Sequence, residues 1–188
     1  IRTNFIFKPA TIFMPTAMLR TSVLTEENIR FDENLRMAED YDFFQRLCEV
    51  RKSSNLTEVL FHYRDNPESL TNTFEKKKHE RFRLKQKIYK RILENTSVTV
   101  VPEDLLNHEN CTNSEMFRNF DTLKDCANHL RLIENANVKS KKYDSRILKK
   151  VLKEQFFFIS KKAGGLGLKT LFFYVGKSIS WGYFNGFS

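Results

Sequence analysis

At 188 residues, with 40% hydrophobic and 29% charged residues, the chain can bury a core beneath a hydrated surface, which excludes a disordered polymer. The net charge of +9 belongs to the rear: residues 1–71 hold 9 Lys+Arg against 11 Asp+Glu, while residues 72–188 hold 23 against 12. Three cysteines, Cys48, Cys111 and Cys126, are odd in number and widely spaced, which suits free thiols in a reducing compartment better than a disulfide frame or zinc site.

Phe5 to Met14 reads as an apolar, strand-like entry interrupted by Lys8-Pro9. The sequence opens with Ile1 rather than Met and runs directly into this stretch, so an excerpt of a longer protein is expected. Pro15-Thr16-Ala17-Met18-Leu19-Arg20 follows, and Ser22-Val23-Leu24 begins a short helix. Arg20 sits directly after three apolar residues; it is either a surface residue at a strand end or a guanidinium that grips a phosphate or carboxylate. Thr25 to Leu35 is polar and turn-rich.

Glu39-Asp40 then opens an amphipathic helix, in which Phe43, Phe44, Leu47 and Cys48 build one apolar face before a stop near Lys52–Asn55. Two readings stand for the acidic pair. It caps the helix, where unpaired N–H groups and the positive dipole end favour negative charge; or one carboxylate is a general base facing a cleft. Leu56 to Arg64 alternates like a strand, with Val59, Phe61 and Tyr63 on one face. Asp65-Asn66-Pro67-Glu68 breaks it.

Asn72 to Asn95 predicts a long basic helix with an apolar stripe that includes Phe82, Ile88 and Ile92. Val98 to Val101 is a short β-like piece. Pro102-Glu103-Asp104 starts a helix with Pro and acids in its first turn. Further helices are expected over Ser114–Asn135 and Asp144–Lys161, and Gly164-Gly165-Leu166-Gly167 breaks the last. The tail from Leu168 is aromatic and punctuated by lysines.

Three motifs occur in order in the front. They are Pro15-Thr16-Ala17-Met18-Leu19-Arg20, then Phe31-Asp32 leading to Ala38-Glu39-Asp40-Tyr41-Asp42-Phe43, then Tyr63-Arg64 before Asn66 and Ser69-Leu70-Thr71. This arrangement resembles the acceptor-side half of glycosyltransferase family 2, inverting enzymes of the GT-A fold. The resemblance implies an α/β fold: a partial, Rossmann-like GT-A domain over residues 1–71, then a mainly helical, basic extension over residues 72–188. It implies transfer of a sugar from a nucleotide-sugar donor to a glycan or lipid-linked glycan, as in cell-surface polysaccharide biosynthesis. By the family pattern Asp40 is the catalytic base, with Glu39, Arg20, Tyr63, Arg64 and Asn66 binding substrate. A divalent cation, Mg²⁺ or Mn²⁺, is implied for the full-length enzyme. Its main ligands are expected upstream with the nucleotide-binding half, so the 188 residues alone are expected to be inactive. Asp40-Tyr41-Asp42 is formally a DxD motif, but it leads into an amphipathic helix instead of ending an apolar strand. Asn66 stands where the family often has His.

Against the enzyme stands a non-catalytic basic binding module. Nucleic acid is disfavoured as its partner, because Lys76–Arg91 also carries a buried-type stripe and no nucleic-acid-binding motif is present. An anionic membrane surface is the other candidate partner: Lys161, Lys162, Lys169 and Lys177 alternate with aromatic runs that either lie in the interface of such a membrane or form the ordinary core of the helical extension. The expected location is the cytoplasm, at the inner face of the cell membrane if the tail attaches.

Overall fold

The computed structural model describes residues 1–62, 64 and 78–183. The chain divides into two compact units, Ile1–Tyr89 and Lys90–Ser188.

Helices dominate both, and no strand occurs among the described residues. The expected α/β architecture is therefore corrected: the described part of residues 1–71 holds no sheet, so no Rossmann-like GT-A domain is present there. Phe5 to Met14 does not extend. It lies in 3-10 turns at Arg2–Ile6, Pro9–Thr11 and Met14–Thr16, the last two with proline in the first turn. Proline lacks the N–H a ladder needs and pre-sets the φ of a tight turn. Leu56–Phe61 alternates as a strand should, yet it is irregular and exposed. A strand is stable only where a neighbour takes its N–H and C=O groups, and among the described residues none does. Val98–Val101 is likewise no strand; Val98 is buried singly and Val101 precedes a helix.

In the first unit, helix α1 spans Thr21–Glu26 and α2 spans Glu39–Val50. Tyr41, Phe43, Phe44, Leu47 and Cys48 are buried on α2. Tyr41 fixes the start of the helix: its hydroxyl donates to the Phe5 carbonyl at 2.9 Å, and its ring packs near Phe5 and Tyr89. Farther along, Arg2 pairs with Glu49 at 3.0 Å. Helix α3, Lys78–Asn95, runs across the boundary between the units.

The second unit adds α4 (Pro102–Thr112), α5 (Phe120–Ser140), α6 (Ser145–Lys162) and α7 (Leu168–Ser180). Leu123, Cys126, Ala127, Leu130 and Ile133 form the buried stripe of α5, at helical spacing. Leu148, Val151, Leu152, Phe156 and Ile159 form that of α6. Both helices have side-chain caps. Asn119 accepts from the Thr122 N–H, and Asp144 accepts from the N–H groups of Arg146 and Ile147. The turn between them is clamped by buried Asn137, which donates to the Tyr143 carbonyl and accepts from its N–H. Gly167, with φ +88 and ψ −170, lets the chain reverse into α7; that backbone region is open essentially to glycine alone.

Candidate functional site

Helix α2 begins abruptly. Met37 adopts a left-handed φ of +69, and the N-cap Ala38 has no side chain able to accept from the first turn. One of the unpaired N–H groups is met from inside the helix, whose first turn carries Glu39, Asp40 and Asp42. Asp40 Oδ1 accepts from the Tyr41 N–H at 2.7 Å. The capping reading is thus part of the answer.

Capping does not use all of the acidic groups. Burial raises the Asp40 pKa above the ordinary carboxylate value; the Tyr41 N–H pulls it down, the Glu39 charge pushes it up and Lys85 pulls it down. Glu39 Oε2 is buried with no hydrogen-bond partner. Two neighbouring carboxyls, one holding its proton more tightly and one with an unsatisfied oxygen, form a local store of proton-accepting capacity.

Asp42 is not part of that store. It is buried, and its Oδ2 accepts from Arg46 Nε at 2.8 Å and from an Arg46 terminal nitrogen at 2.6 Å. Arg46 also donates to the Arg30 carbonyl, which pins the preceding loop. In that loop Phe31 stacks on Phe43 with ring centroids 4.4 Å apart. Asp32 accepts from Asn34 and pairs with Lys87 on α3 at 2.5 Å; those bonds lower its pKa to about 2. The Phe31-Asp32 motif is therefore a brace that closes the loop before α2 onto α3.

Among the described residues, no contact draws Arg20 or Arg64 to the acids. Arg20 is exposed and supplies only backbone to the start of α1. Arg64 is exposed. Tyr63 and Asn66 lie outside the described residues. Lys85 is the residue that sequence reasoning passed over, because it sits among other lysines and arginines of a basic helix and nothing local marks it.

Asp42 is engaged by Arg46, and among the described residues no group of three or more His, Cys, Asp or Glu stands together. The chain matches no known protein family, curated protein or solved structure.

Proposed function

We propose that Glu39 and Asp40 activate an acceptor hydroxyl for inverting transfer of a sugar from a nucleotide-sugar donor to a glycan or lipid-linked glycan. The observation that carries this reading is the buried, unpartnered Oε2 of Glu39 beside an Asp40 carboxyl with a raised pKa. The order of the three sequence motifs supports it. The reading rests on the acid pair and not on a GT-A frame.

In this reading Asp40 accepts the hydroxyl proton while the acceptor oxygen bonds to the anomeric carbon. The bond to the nucleoside diphosphate breaks, and its electron pair leaves with the phosphate oxygen. A base with a raised pKa holds the transferred proton better than an ordinary carboxylate does. Glu39, the adjacent carboxyl, helps to orient the acceptor or the donor sugar. The free thiols of Cys48, Cys111 and Cys126, all buried, support work in a reducing cytoplasm.

The test is release of nucleotide from a panel of nucleotide sugars by a polypeptide that contains these residues. Asp40→Asn should lower turnover by roughly 10²–10⁴, the usual contribution of a general base, while donor affinity changes little. Near-normal turnover of the variant would remove Asp40 from the mechanism.

A further inference from the structure

Helix α7 is inside out. It buries Thr170 and Ser178 and turns four of its apolar residues to solvent: Leu168 is 72% exposed, Leu171 54%, Phe172 73% and Ile179 64%. With half-buried Val175 these fall at i, i+3, i+4, i+7 and i+11, a single stripe along the helix. The inward side is held by contacts: the Thr170 hydroxyl donates to the Ala163 carbonyl at 3.1 Å, and Phe173 and Tyr174 pack toward Phe156. Rotation of the helix to hide the stripe would break these contacts.

Beside the stripe, α6 and α7 leave an open cleft of about 480 Å³. Phe157, Leu168, Leu171 and Tyr174 line it, with Lys161 among them. The surroundings are strongly cationic. Between Ser145 and Ser180 the chain carries eight Lys and Arg against one acid, Glu154. On α6, Lys150, Lys153, Phe157 and Lys161 share one exposed face at i, i+3, i+7 and i+11. Lys161 Nζ lies over the Phe157 ring at 5.8 Å, and Lys169 Nζ over the Phe120 ring at 5.1 Å. An apolar stripe edged by lysines matches the two layers of an anionic bilayer surface, with acyl chains beneath phosphate headgroups. A water-soluble protein partner would have to supply both a matching apolar ridge and excess acid. Among the described residues no helix is long and apolar enough to cross a membrane, which fits a helix lying in the interface plane.

We propose that the exposed face of α7, with the cationic face of α6, docks the chain on an anionic phospholipid bilayer, the cleft between the helices accepting acyl chain. This rests on no part of the sugar-transfer reading, so Asp40→Asn should bind vesicles like the parent.

The experiment is co-sedimentation of the full chain with phosphatidylcholine vesicles, with and without phosphatidylglycerol. The parent should partition onto the anionic vesicles only, and less so as salt is raised. Leu171→Glu with Phe172→Glu changes two exposed residues and should weaken partitioning about a hundredfold with an unchanged circular dichroism spectrum. Phe172→Trp provides a milder second variant: its added emission should shift to the blue and be quenched by brominated acyl chains. Absent vesicle binding, undiminished binding of the double Glu variant, or an unquenched Trp at position 172 would overturn the proposal. So would a parent that sediments as a dimer without vesicles, is made monomeric by the double variant and ignores lipid, for then a second copy covers the stripe.

Discussion

Asp40 faces opposing demands at the scale of a single carboxyl. The start of α2 favours its charge, because the helix dipole and the Tyr41 N–H both stabilise a carboxylate. Burial disfavours that charge and wins, so the folded pKa lies above the 3.8 of an unperturbed Asp. The sign of the linkage follows. Below pH 3.8 both folded and unfolded states hold the proton, and Asp40 costs the fold nothing. As pH rises through the folded pKa, the folded state must ionise a half-buried group, and stability is lost. Asp40→Asn should therefore unfold at a higher urea concentration than the parent at neutral pH, and the advantage should vanish below about pH 4. An advantage that persists unchanged at low pH would place the gain in packing instead of charge. The acid pair itself was legible in the sequence, since adjacent acids before an apolar periodicity mark a helix start. Its influence from Lys85 was not, because 45 residues separate Lys85 from Asp40 and only the folded chain brings them near.

Periodicity located the helices that bury an apolar stripe, because it reports burial; it did not mark the tail from Leu168 as helix α7, whose apolar stripe is exposed. The expected Asp144–Lys161 helix is α6, whose stripe of Leu148, Val151, Leu152 and Phe156 is buried. The expected Ser114–Asn135 helix begins later, at Phe120, where Asn119 provides the cap, and runs on to Ser140. What periodicity could not show is the polar content between helices. His108 Nδ1 and His129 Nε2 meet at 3.1 Å between α4 and α5, both buried. Asp104 Oδ1 lies 3.6 Å from His129 Nδ1, too far for a hydrogen bond, so that nitrogen is buried without one. Burial lowers the His129 pKa to about 4, and the Asp104 charge only partly offsets it. Unfolding releases the imidazole to its usual value near 6.5. Between those values the unfolded chain binds a proton that the folded chain does not, so stability falls as pH drops from 6.5 toward 4. The loss is on the order of 3 kcal/mol and is complete below about pH 4. Urea unfolding of His129→Gln across that range should show a shallower slope, by about one proton. An unchanged slope would assign the pH dependence to other groups.

At the scale of the whole molecule, the alternating pattern of Leu56–Arg64 is the place where sequence and structure part. Alternation says which residues would share a face of a sheet; it cannot supply the second strand that makes the sheet exist. Without one among the described residues, Arg51–His62 is exposed throughout and irregular beyond the end of α2. Exposed backbone with no ladder and little packing opens at small cost, whereas the lysines of α5 and α6 sit on helices anchored by the buried stripes Leu123 to Ile133 and Leu148 to Ile159. Arg51 is held by Glu26 and Glu27, the latter at 2.5 Å, whereas Lys52 in the stretch and Arg64 beyond it are exposed. Brief trypsin treatment should cut first after Lys52 or Arg64 and spare Phe120–Lys162. The rear fragment should then keep its helical circular dichroism and the His129-dependent slope, because Asp104, His108 and His129 all lie within Lys90–Ser188. A first cut inside α5 or α6, read by mass spectrometry, would mean that the helical core opens more readily than the exposed stretch. Fragments that keep helicity but lose the slope would mean that the buried histidine pair depends on residues in the front unit.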